Sequence, residues 1–271
     1  MYRWCSYCQG FLGETEPRND YQISHGICPP CKVRLSSEND NLVSRAKLTK
    51  EFFASIRKDL VARTNRDSST LLRQAQDLGI APFDILAGLI QPLLYEIAEL
   101  QNAGEATVCQ EHDFSMLVDG VFSEIRKAST SSATHLTTGA PKVLIACADG
   151  NYHVFGPRLI KEYLLKEGIS AKCLFPSLPF DEIISAGLEV SAKIIGISVA
   201  TAEQAEMVVK KWHGYIKTSR GKNSPTLILG GQGASSVKIL PTNTHVHNGN
   251  LIELKTLIEG KRFMGKLGAL S

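Results

Sequence analysis

Through the middle of the chain, Leu86, Leu89, Ile90, Leu93, Leu94, Ile97 and Leu100 recur at three- and four-residue steps. That spacing gathers apolar side chains on one face of a helix. Asp84, Gln91, Glu96 and Glu99 interrupt the run, so it reads as a buried helix and not as a membrane span, which needs roughly 20 predominantly apolar residues. Pro92 lacks an N–H and is expected to kink this helix or slow its continuation. Upstream, Asp67-Ser68-Ser69 before Leu71-Leu72 predicts a helix start, and Gly79 its stop. About four helices fit between residues 44 and 128, enough for an antiparallel bundle.

Past residue 140 the pattern changes to short apolar runs: Val143–Cys147, Ala171–Phe175, Lys193–Ser198 and Thr226–Leu229. Amphipathic stretches such as Pro157–Glu167 and Ala202–Thr218 lie between them. Strand and helix alternating at this spacing predict βαβ units and a parallel sheet covered on both faces. Ligands in such sheets bind beyond the carboxyl ends of the strands, so candidate residues are sought in the loops after these runs. Ser129–Gly139 is rich in Ser and Thr, lacks periodicity, and reads as a linker. The expected domains are 1–35, 44–128 and 140–271.

Composition narrows the options. A net charge of +3 is too mild to point to nucleic acid, and the Lys210, Lys211, Lys217, Arg220, Lys222 group reads as a solvated helix end. The first residues, Met1 to Cys8, lack the apolar core of a signal peptide, which makes the cytoplasm the default compartment. Seven cysteines, an odd number with four in two close pairs, fit metal binding in a reducing compartment better than disulfides. Cys5-x-x-Cys8 and Cys28-x-x-Cys31 have the spacing of a four-thiolate zinc site, each pair on a tight turn. His25 is near enough in sequence to replace one thiolate or to hydrogen-bond to one. A redox dithiol pair and an iron–sulfur site are the competing readings. Residues 1–35 are too few to build a core unaided, so a metal staple is physically sensible. This module points to structure or docking, not to catalysis. No Ser/His/Asp set, phosphate-cradling loop or carboxylate pair makes an independent case for an enzyme.

The loop after the first strand-like run reads Asp149-Gly150-Asn151-Tyr152-His153-Val154-Phe155-Gly156. Ser198-Val199-Ala200 follows a later run, and Gly230-Gly231 the next. In this order the segments resemble cobalamin-binding domains of the methionine-synthase type, which carry Asp-x-His-x-x-Gly, Ser-x-Leu and Gly-Gly at matching places. Leu100–Gly104 and Val108–His112 look like the helical cap's Trp-His-x-Gly and Val-Ala-x-Glu-His signature. The resemblance spans about residues 44–260. It implies an α/β fold with a Rossmann-like doubly wound parallel sheet, preceded by an all-α four-helix cap and a small zinc-ribbon-like N-terminus.

The resemblance implies that His153 supplies imidazole to the lower face of cobalt, with Asn151 as its hydrogen-bonding partner. Gly156 then lets the nucleotide tail pass, Gly230 and Gly231 line the slot for that tail, and Ser198 hydrogen-bonds around it. Glu111 and His112 of the cap face the upper side. Asn151 stands where the family has Asp, Ala200 where it has Leu, and Gln101 and Asn102 where light-sensing relatives have Trp and His. The leading expectation is a cobalamin-binding sensor of light, redox state or cofactor abundance. It resembles antirepressor photoreceptors, with a transcription regulator as partner. The alternatives are a corrinoid methyl carrier of a methyltransferase system and a haem sensor in the same fold.

Overall fold

The computed structural model describes residues 1–17, 19–34, 42–62, 66–130, 142–174, 176–219 and 224–260. The chain forms two compact units, Met1–Leu136 and Thr137–Ser271.

The first unit opens with a small sheet of β1 (Tyr2–Cys5), β2 (Phe11–Glu14) and β3 (Ile23–Gly26). β1 lies in the middle, antiparallel to β2 and parallel to β3. A short helix α1 (Pro29–Arg34) follows, then α2 (Leu42–Ala62) and α3 (Ser68–Asp77). Next come α4 (Pro82–Ile85), a π-helical turn (Leu86–Ile90) and α5 (Gln91–Asn102), together one continuous helix, and finally α6 (Val108–Thr130). Asp67 caps α3 by accepting from the Thr70 N–H at 2.9 Å. Gly79 turns the chain with a φ of +79°, and the helices on either side are bent by 116°. The four helices between α2 and α6 are those the periodicity predicts.

The helix continues past Pro92. The π-helical turn widens the backbone just ahead of it, with the Gln91 N–H reaching back to the Leu86 carbonyl. This shift in the hydrogen-bond ladder accommodates the missing proline donor, and α5 continues to Asn102. All five residues of the turn are buried, beside Leu71, Ala75, Leu93, Val118 and Val121 in the core. Helix α6 runs through Thr130, so Ser129 and Thr130, expected in the linker, are helical. The rest of that linker lies outside the described residues, as do Arg220 and Lys222. No single helix among the described residues is long and apolar enough to cross a membrane.

The second unit is a five-stranded parallel sheet in the order β5-β4-β6-β7-β8. The strands are β4 (Val143–Cys147), β5 (Ala171–Leu174), β6 (Ile194–Ser198), β7 (Thr226–Gly230) and β8 (Thr244–His247). Helices α7 (Phe155–Lys166), α8 (Phe180–Glu189), α9 (Ala202–Thr218) and α10 (Leu251–Ile258) connect or follow them. One face packs Leu144, Ala146, Ile195, Ile197, Leu227 and Leu229 against Phe180, Ile183, Val208 and Trp212 of α8 and α9. On the other face the Cys173 thiol meets the Pro157 carbonyl of α7 at 3.2 Å, and α10 packs beside α7. Every residue of β4 is buried, as expected of a strand covered on both faces.

Candidate cofactor site and cysteine cluster

The sheet reverses its order at β4. β5 lies on one side of it and β6 on the other, which makes the end of β4 the switch point, the usual ligand position in such folds. The loop after β4 holds Asp149 to His153, and that after β6 holds Val199 to Thr201.

Asn151 is buried, only 1% exposed. Its amide donates to the Ser198 carbonyl at 2.9 Å and to the Ser198 hydroxyl at 3.3 Å. Its Oδ1 accepts from the His153 backbone N–H at 3.0 Å. The side chain thus ties the histidine loop to the end of β6. It engages the His153 backbone and not the ring, in contrast to the partner role the resemblance implies. His153 itself is exposed. Asp149 is engaged by Ser177, whose hydroxyl donates to its carboxylate at 3.3 Å and accepts from the Gly150 N–H at 2.7 Å.

Thr201 and Gln204 form a capping box at the start of α9. Gln204 also accepts from the Ala200 N–H at 2.8 Å and donates to the Asp149 carbonyl at 3.2 Å, binding the two loops together. The Thr-x-x-Gln spacing carries this signal in the sequence; Ser177 carries none.

Beyond β7, Gly231 has a φ of +99°, and a Cβ there would collide with the Val199 carbonyl. Only glycine satisfies both conditions. Its role here is close backbone approach between loops. Side chains alternate along a strand, so Gly196, Ser198 and Gly230 point away from the face that buries Ile197, Val199 and Leu229. A Cβ on Gly196 would have its nearest neighbour at 3.8 Å, and one on Gly230 at 3.7 Å, both backbone oxygens. No atom lies within 4 Å of a Cβ on Gly156. Of these small residues, Gly196, Ser198 and Gly230 form a half-buried stripe of low relief beside the His153 loop. The structure therefore brings His153, Asn151, Gly156, Ser198, Gly230 and Gly231 to one end of the sheet.

Glu111 and His112 occupy the first turn of α6 in the other unit. The His112 Nε2 lies 3.5 Å from the Glu111 carboxylate, which also accepts from the Ser115 hydroxyl at 2.8 Å. Gln101 and Asn102 end α5.

Also in that unit, the sulfurs of Cys5, Cys8, Cys28 and Cys31 lie within 4.8 Å of one another. Those of Cys8 and Cys28 are 3.8 Å apart. Thiolates at 2.3 Å from a tetrahedral ion are separated by about 3.8 Å. Burial raises the Cys5 thiol pKa, but backbone groups of Cys8, Cys28 and Tyr7 outweigh it and bring the value to about 6. Burial pushes the Cys31 thiol up, and that of Cys8 likewise. His25 does not join the cluster. It hydrogen-bonds to the Ala46 backbone, and burial holds its pKa down.

Residues 54–125, from within α2 to within α6, match the family model described as B12 binding domain. Over that stretch the chain is similar to a B12 binding domain. The match leaves out the cysteine cluster and the parallel sheet. The fold is similar to that of the Methanosarcina barkeri monomethylamine corrinoid protein, at 16% identity and a TM-score of 0.58, over 78% of this chain and 98% of that one. A cobalamin-binding protein from Desulfitobacterium hafniense aligns at 15% identity and a TM-score of 0.37, over 77% of this chain and 97% of that one. The methanol:cobalamin methyltransferase complex of Methanosarcina barkeri aligns at 13% identity and a TM-score of 0.37, over 86% of this chain and 90% of that one. No curated protein sequence matches the chain.

Proposed function

We propose that the chain binds a corrinoid at the carboxyl end of its parallel sheet, with the His153 imidazole toward the lower face of the cobalt. One observation carries this reading. An exposed histidine leaves β4 at the switch point, beside a half-buried stripe of the small residues Gly196, Ser198 and Gly230, in a chain whose residues 54–125 match a B12 binding domain. The donor chemistry fits, since neutral imidazole suits mid-row transition metals. Asn151 and Ser198 hold the loop backbone, leaving the ring available. The stripe offers room for the nucleotide tail, and a larger side chain at Gly196 or Gly230 would fill it. Glu111 and His112 are assigned to the same cofactor by resemblance.

Within this reading the chain is a corrinoid carrier that serves a methyl-transferring protein partner. The support is the fold shared with a corrinoid protein over nearly all of that protein's length. When bound, the corrinoid supplies a cobalt that takes up and gives up a methyl group. The chain's own contribution is to hold, orient and shield it. The sensory reading, with a transcription regulator as partner, has no comparable support. Gln101 and Asn102 offer neither the aromatic ring nor the imidazole of light-sensing relatives. Nothing in the comparisons favours haem.

Incubation with hydroxocobalamin and then desalting is expected to leave about one corrinoid per chain by absorption, and haemin none. His153→Ala is expected to keep the fold but shift the spectrum of the bound corrinoid. After reduction and treatment with methyl iodide, the bound cofactor is expected to take up a methyl group. Failure to retain any corrinoid would overturn the binding reading. Retention without methylation would overturn the carrier.

A further inference from the structure

The cysteine cluster lies outside the matched B12 binding domain, and its surroundings show what it does. Trp4, directly before Cys5, is fully buried and covers Gly88 in the π-helical turn so closely that a Cβ there would collide with the indole. β1 and β2 both rest on this turn, and the Phe11 ring packs 5.8 Å from Trp4. The cysteine turns are bonded to α2 as well. Gln9, the residue after Cys8, is buried and accepts a hydrogen bond from Thr49. Arg45 donates to the Tyr7 carbonyl at 2.9 Å. On α5, Tyr21 donates to Glu99 at 2.5 Å, and Gln91 donates to Glu14 at 3.1 Å. The three strands have four residues each, too few to hold these contacts without a crosslink.

We propose that Cys5, Cys8, Cys28 and Cys31 form a tetrathiolate zinc site whose ion clamps the N-terminal sheet onto the π-helical turn and α2. The metal is then a structural part of the helical domain and not the centre of a separate docking finger. Four thiolates at tetrahedral spacing, with no open position, are the ligand set of a structural zinc site. Binding energy at such a site is folding energy, and it reaches the helices through Trp4 and Gln9. The proposal is independent of the corrinoid reading.

The test uses the full chain. Elemental analysis is expected to find one zinc per chain, and cobalt(II) exchanged into the site is expected to show the absorption of tetrahedral thiolate coordination. A chelator under reducing conditions is expected to lower the helical melting midpoint by several degrees, followed by far-ultraviolet circular dichroism, with added zinc restoring it. Cys8→Ser, at the exposed ligand, is expected to lose zinc and reproduce the chelated midpoint. If that variant does not fold, the chelation and restoration arm on the unaltered chain decides. Zinc that leaves without moving the helical melt would overturn the clamp. Iron with sulfide in place of zinc, or no metal at all, would overturn the site.

Discussion

Asn151 joins two loops because its amide can donate and accept at once. The nitrogen side serves the carbonyl and hydroxyl of Ser198, and the oxygen side serves the His153 N–H. An ionised carboxylate accepts only, so Asn151→Asp would set a negative charge against the Ser198 carbonyl. The Ser198 carbonyl keeps the bond it accepts from the Ala148 N–H at 3.0 Å, so what is lost is the bond the amide donated, worth about 0.5–1.5 kcal/mol. The variant is expected to lose that much stability in urea denaturation at neutral pH. It should regain part of it in acid, where the carboxyl is protonated and donates. Gly231 is a second single-residue constraint. Gly231→Ala is expected to lower the melting temperature, since the side chain meets both a left-handed φ and the Val199 carbonyl. A melt equal to that of the unaltered chain would show that the turn relaxes freely. The sequence offered the histidine, the glycines and the serine as candidates through their order along the strands, and the structure sets them at one end of the sheet. The direction of the Asn151 side chain was not legible, because either its neighbouring ring or the next strand end is within reach of an amide.

At the scale of elements, the helix from Pro82 to Asn102 shows what periodicity can and cannot read. Its apolar positions predicted a buried helix correctly. A π-helical turn of five buried residues, Gly88 among them, stands directly ahead of Pro92, and no periodicity announces it. Strand β8 escaped notice, since Thr-His-Val-His at a sheet edge has one buried and one solvated side and little apolar content. Helix α8 was missed as well: its run follows directly on the β5 loop with only Pro179 to announce it. Gly88→Ala tests the π turn itself. Overpacking of this kind costs about 1–3 kcal/mol, and a helix propensity argument alone would predict the opposite sign. The variant is expected to melt lower and, by linkage, to bind zinc more weakly in a chelator competition.

Taken whole, the molecule has two units of different chemistry, one that gathers four cysteine sulfurs and one with an exposed imidazole at the end of its sheet. Ligand bound only to folded protein adds stability that grows with the logarithm of its concentration over Kd, about 2.7 kcal/mol at a hundredfold excess. Calorimetry with hydroxocobalamin is therefore expected to raise the melting of the sheet unit, while a chelator lowers that of the helical unit. A cobalamin-insensitive sheet transition would count against His153 and its neighbours as the holding site.

The contact between Trp4 and Gly88 also has an evolutionary consequence. The two positions lie in segments with separate sequence signatures, yet the indole leaves no room for a side chain across from it. Among related chains, those that keep the four cysteines should keep a residue without a side chain at position 88. Those that have lost the N-terminal sheet are free to fill it, so the two changes should travel together through the lineage.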